Sequence, residues 1–153
     1  MTKTISNMKA MVILAAVAVA TTLSSFSAKK GGEGFEIFLN SKLVLQQFGN
    51  QMNNVKSIEL DKRFLNDQLV IKYHHCGQVG KDRSITIKDA QNKVLKEWKY
   101  ANTSTASLAS DAAMSCKVKD ILSLQTGKLN LYYSSAELPK GRLLATLVVT
   151  GAK

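Results

Sequence analysis

The sequence predicts an all-β fold, a single antiparallel β-sandwich of the Ig-like or jelly-roll-like kind. It has seven to eight strands and one short helical segment. Three observations predict this. From Phe35 onward apolar residues recur with a period of two, the spacing of a strand with one buried face. Turn-forming clusters break these runs at short, roughly regular intervals. Val118, Ile121, Leu122 and Gln125 alone follow helical spacing.

Ahead of the domain, Lys3 and Lys9 precede an apolar run from Ala10 to about Leu23, followed by Ser24-Ser25-Phe26-Ser27-Ala28. This is the three-part layout of a secretory signal peptide. Cleavage after Ser27 puts Ser25 and Ser27 where the peptidase needs small side chains. The run falls short of the roughly 20 apolar residues a spanning helix requires. Residues 1–27 are therefore read as a signal peptide, with no stable membrane span after cleavage. Residues 28–34, with their Lys and Gly, read as a flexible tether, and 35–151 as the sandwich domain.

The elements follow in order. Phe35, Ile37 and Leu39 mark a first strand. Leu43 and Leu45 share one face of the next, with Val44 and Gln46 on the other. Residues 49–54 form a polar turn, Ile58 and Leu60 a short third strand, and residues 61–67 a connection. Residues 68–76 form a strong strand with Leu69, Ile71 and Tyr73 on one face. Gly77 and Gly80 break it. Residues 84–88 and 94–100 read as a hairpin around Asp89–Lys93, with Asn92 suited to a left-handed conformation. In that register Ile85 and Ile87 share a face with Val94, Trp98 and Tyr100. Residues 101–113, small and polar, read as a loop. The helical segment crosses between sheets, and Leu129, Leu131 and Tyr133 return to period two. Pro139-Lys140-Gly141 reads as a tight turn. Residues 142–150 are apolar on both faces, as in a central strand.

The leader holds two of the 21 basic residues and none of the 11 acidic ones, which leaves the rest of the chain near +8. Such a charge favours anionic partners, although the lysines are scattered rather than blocked. Export argues against an intracellular nucleic-acid role, and no nucleic-acid motif occurs. Cys76 and Cys116 are the two cysteines. An even count in an oxidising compartment predicts a disulfide between them.

Residues with chemical potential are few. His74-His75-Cys76 is the main cluster. His74 and Cys76 on one strand face, joined by Met114 and Cys116, form a soft donor set suited to copper or zinc. A small metal-binding or redox protein is the alternative reading on that ground. His75 and Cys76 point to opposite faces of a strand, which separates a thiol from its base. No Gly-x-Ser-x-Gly elbow occurs, and Gly77–Lys81 lacks phosphate-loop spacing. No acidic pair stands out for glycoside cleavage. No enzyme activity, resident metal or cofactor is therefore expected. Near the predicted turns, Lys81, Arg83, Lys140 and Arg142 form a candidate basic rim, with Tyr132 as a candidate exposed aromatic.

The strings Leu-Asn-Asp-Gln-Leu-Val-Ile-Lys-Tyr-His-His-Cys-Gly and Leu-Tyr-Tyr-Ser-Ser-Ala-Glu-Leu-Pro-Lys-Gly-Arg resemble those of small secreted β-sandwich proteins of unknown function of the Bacteroidota type. The resemblance implies an exported sandwich and carries over no catalytic residue. The expected function is a periplasmic or extracellular binding module for a protein partner or an anionic glycan or envelope polymer. A structural part of an envelope assembly is a third reading.

Overall fold

A computed structural model describes residues 32–76, 78–102 and 113–151. Nine strands lie among the described residues: β1 (Gly34–Leu39), β2 (Lys42–Phe48), β3 (Lys56–Leu60), β4 (Gln68–His74), β5 (Ser84–Lys88), β6 (Val94–Lys99), β7 (Met114–Lys117), β8 (Gly127–Ser135) and β9 (Leu138–Val149). One helix, α1 (Val118–Leu122), carries the chain from β7 in one sheet to β8 in the other. The predicted leader and most of the predicted 101–113 loop lie outside the described residues.

The strands form an all-β sandwich. One sheet has the order β2-β1-β4-β7, the other β3-β9-β8-β5-β6. Inward residues from both make one core, including Phe35, Ile37, Leu69 and Ile71 from the first sheet and Ile85, Ile87, Leu129 and Leu131 from the second. Period-two alternation explains this sorting, because successive strand side chains take opposite faces. The sandwich is not purely antiparallel. β3 runs parallel to β9, with Lys56 beside Ala145 and Leu60 beside Val149. β9 is interior to its sheet, as its two-sided apolar character predicts.

Bulges overturn two predicted faces. An irregularity at Ile37/Phe38 sets Leu45 opposite Ile37 but Leu43 opposite Phe38. The two leucines therefore leave their shared face, and Leu43 is 43% exposed. Another at Ile87/Lys88 pairs Lys88 with Val94 and Ile87 with Lys96. Val94 thus leaves the face of Ile85 and Trp98 and is 55% exposed. A bulge's extra residue reverses the alternation on one side only.

The turns are corrected in the same way. Asn92 takes the expected left-handed conformation at φ 64°. Pro139-Lys140-Gly141 lies within β9 rather than at its start. The β8–β9 connection is Ala136-Glu137, since Ser135 pairs with Leu138. Gly141 has φ 70°, and a Cβ there would stand 3.1 Å from the Tyr133 carbonyl oxygen. Pro139, Lys140 and Gly141, opposite Ser134, are absorbed as an irregularity in the ladder between the Tyr133–Arg142 and Ser135–Leu138 pairs.

Candidate binding surfaces

The expected Cys76–Cys116 disulfide is not formed: both cysteines are free, Cys76 exposed and Cys116 buried. Strand register gives the reason. Cys116 pairs with Leu69 at the start of β4, while Cys76 lies just past its end. That stretch of strand spans roughly 20 Å at about 3.3 Å per residue, and a disulfide needs Cα atoms within about 7 Å. The alternative metal set fails on the same geometry. Met114 and Cys116 face the core. His74 is on the outer face, with Nε2 3.5 Å from the Glu36 carboxylate. Cys76 has left the strand at φ 50°. Among the described residues no cluster of His, Cys, Asp and Glu could hold a metal ion.

Of the five predicted surface residues, Arg83 is buried and Arg142 and Tyr132 are half-buried, while Lys81 and Lys140 are exposed. Arg83 is only 3% exposed and donates to the Ala101 carbonyl at 3.0 Å. Arg142 is half-buried and paired with Glu33 at 3.2 Å. Lys81 is exposed, and its backbone N–H donates to Glu137 at 3.0 Å. Lys140 is exposed in the irregular part of β9. Tyr132 is half-buried on the outer face of the five-stranded sheet.

Arg142 instead joins a polar cluster at one end of the sandwich. Tyr73 from β4 donates to Glu33 at 2.5 Å, and the other Glu33 oxygen accepts from Arg142. Beyond Tyr73, His75 Nε2 meets the Tyr133 hydroxyl at 2.8 Å and the Ser135 hydroxyl at 3.3 Å. A neutral ring with its proton on Nδ1 accepts at Nε2 from the closer Tyr133 hydroxyl. Gly80 packs against this point: a Cβ there would lie 2.5 Å from the Tyr133 oxygen and 2.8 Å from Nε2. Burial lowers the His75 pKa against the opposing pull of Glu137 and Glu33. Burial raises Tyr73 and Tyr133. For Glu137 burial is the largest single influence and raises the pKa, but hydrogen bonds from the Glu137 and Lys81 backbone N–H groups and from Ser135, with the charge of His75, together outweigh it, so its pKa falls. The cluster closes the end of the core with most of its polar groups paired, the buried Arg142 Nε excepted. Its sequence signal was the shared parity of Tyr73 and His75, which puts His75 on the face of Leu69 and Ile71.

Two outer surfaces have polar groups free to meet a ligand. On the five-stranded sheet, Lys88 Nζ sits 4.3 Å over the Tyr132 ring. Thr86 pairs with Tyr132 and Asn130 with Lys88, and exposed Lys128 lies further along β8. A cation–π contact positions an ammonium without neutralising it. On the four-stranded sheet, Phe48 lies across Gly34 and stacks on His74, with ring centroids 6.2 Å apart. A Cβ at Gly34 would strike the Phe48 ring. Beside them Gln46 donates to Glu36 at 2.9 Å.

A cleft of ≈ 260 Å³ opens where β4 begins, at the far end from His75, lined by Leu65, Asn66, Asp67, Gln68, Lys117 and Lys119. Its backbone is fixed. Val118 N–H donates to the Asp67 carbonyl at 3.0 Å, and Gln68 N–H to Asn40 Oδ1 at 2.9 Å. The Ser115 hydroxyl donates to Gln68 Oε1 at 2.6 Å.

No protein-family model matches the chain, and no curated protein matches it. Among solved structures it is similar to the extracellular domain of a one component system from B. thetaiotaomicron, with 13% identity and a TM-score of 0.36. It is also similar to the extracellular domain of a hybrid two component system from B. thetaiotaomicron, with 14% identity and a TM-score of 0.34. Each likeness covers 80% of this chain but 16% of the other.

Proposed function

We propose that the protein is an exported, non-enzymatic binding module that holds an anionic polymer of the cell envelope or its surroundings. The observation that carries this reading is Lys88 fixed over Tyr132 on an open sheet face that also bears Lys128. The ring anchors the cation, and the flanking half-buried Asn130 offers hydrogen bonds to a polymer's hydroxyl groups. The charge near +8 supplies long-range attraction. The leader-like N-terminus supports export.

The test is retention on acidic polysaccharide across a salt series. Binding should weaken steeply as the screening length shrinks from about 10 Å at 0.1 M salt. Tyr132→Ala with Lys88→Gln should weaken it about tenfold. Retention unchanged by salt or by that double substitution would sink the reading. A protein partner is the second reading, favoured by β2. It is an edge strand with Leu43, Val44 and Phe48 exposed, open to pairing by an added strand.

A further inference from the structure

We infer that the cleft beside Lys117 and Lys119 is a subsite for one acidic sugar unit, of the hexuronate class. It deepens the proposed function by naming the unit recognised, and rests on that function only for the source of the sugar.

The lining is amphoteric, and this sets the ligand class. Lys117 and Lys119 supply two ammonium groups, while Asp67 supplies one carboxylate beside them. A bare phosphate or sulfate meets the attraction of the lysines and the repulsion of Asp67 together. A sugar acid separates the two demands. Its carboxylate faces the lysines in charge-assisted hydrogen bonds, and its hydroxyls donate to Asp67. The amides of Asn66 and Gln68 can each donate and accept, which suits further hydroxyls. Leu65, 41% exposed, offers an apolar surface for the C–H face of a ring.

Size agrees. Pockets for drug-sized ligands run from about 300 to 1,000 Å³, so ≈ 260 Å³ suits a single sugar rather than a long segment. The polymer would leave the cleft at its open side. The fixed backbone of Asp67, Gln68 and Val118 means that little ordering accompanies binding.

The experiment is an amide NMR titration of the folded protein with sodium glucuronate, glucose and inorganic phosphate in parallel. Acidic polysaccharide is titrated separately. Glucuronate should shift the Asn66, Gln68, Lys117 and Lys119 amides in a saturable way, at least about tenfold more tightly than glucose or phosphate. Lys117→Gln with Lys119→Gln should abolish the shifts while leaving the remaining spectrum intact. Asp67→Asn should narrow the preference over phosphate. Shifts elsewhere only, none at all, or equal response to phosphate would overturn the subsite. If polysaccharide binds while glucuronate leaves the cleft unmoved, the subsite falls and the polymer reading stands. If glucuronate binds the cleft and polysaccharide does not bind, the polymer reading falls and the subsite stands.

Discussion

Tyr73 and Tyr133 stack nearly face to face across the sandwich, with ring centroids 4.1 Å apart and planes 14° apart. One comes from each sheet, so the pair joins the layers directly at the end that also holds His75. Tyr133→Phe keeps the stack but removes the hydroxyl 2.8 Å from His75 Nε2. It should cost about 1–2 kcal/mol, the effect of losing a partner for a partly buried polar group. Tyr133→Ala removes the ring as well and should cost about 3–5 kcal/mol. Urea unfolding of the two variants measures both.

Stability should fall as pH drops below the ordinary histidine range. Burial holds the folded pKa of His75 below 6.5, so near pH 6 the unfolded chain binds a proton that the fold resists. The contribution is fully present above the unfolded pKa and is lost as pH falls toward the folded one. Glu137 acts further down. Its lowered pKa gives stability present above its unfolded value of 4.5, lost as pH falls through the folded value. Thermal melts from pH 8 to pH 4 should show two successive declines. His75→Gln should flatten the upper one and diminish the lower only in part, because the charged ring is one of several groups that hold the Glu137 pKa down.

The two thiols should react differently. Cys76 is exposed, whereas burial pushes Cys116 up to about 12, with Asp120 adding to the shift. A thiol reagent should titrate one group in the native protein and two after denaturation. Reducing agent should leave the melting temperature unchanged. Protection of both thiols in the native protein, or a drop in melting temperature on reduction, would contradict the separated cysteines.

The β5–β6 irregularity has its own test. Simple alternation puts Val94 inside, whereas the fold leaves it exposed opposite Lys88. Val94→Lys should change stability by no more than about 0.5 kcal/mol. Ile87→Lys, one strand over and fully buried, should unfold the domain or destabilise it by more than about 4 kcal/mol. Chemical denaturation separates the outcomes.

Much of the fold was legible because one-sided burial writes itself into alternate residues. Leu69, Ile71 and Tyr73 or Leu129, Leu131 and Tyr133 need no partner to be recognised. What alternation cannot show is an extra residue in one strand, so Leu43 and Val94 were placed on the wrong faces. Nor does composition separate a solvated arginine from a buried one: Arg83 and Arg142 sit near predicted turns, yet both are drawn into the end of the core. The disulfide failed for a related reason. Even cysteine count carries no register, and Leu69 beside Cys116 decides the distance. Tyr132 alone among the proposed surface residues keeps a central place on an open face, because its neighbour Tyr133 takes the inward position. The cleft was invisible because its two halves, Leu65–Gln68 and Lys117–Lys119, are distant in sequence and meet through the pairing of Gln68 with Lys117 and the Val118 N–H bond to the Asp67 carbonyl.

The parallel pairing of β3 with β9 has a consequence for when the chain can fold. Among the described residues β3 has β9 as its sole strand neighbour, and β9 follows all the other described strands in the chain. Until β9 emerges, β3 has no ladder and β8 lacks one of its two flanks. Pairings between segments so far apart close large loops and form slowly. A nascent chain carrying this topology can pair β1 with β2 and β4, and β5 with β6, but it cannot complete the five-stranded sheet until β9 has been made.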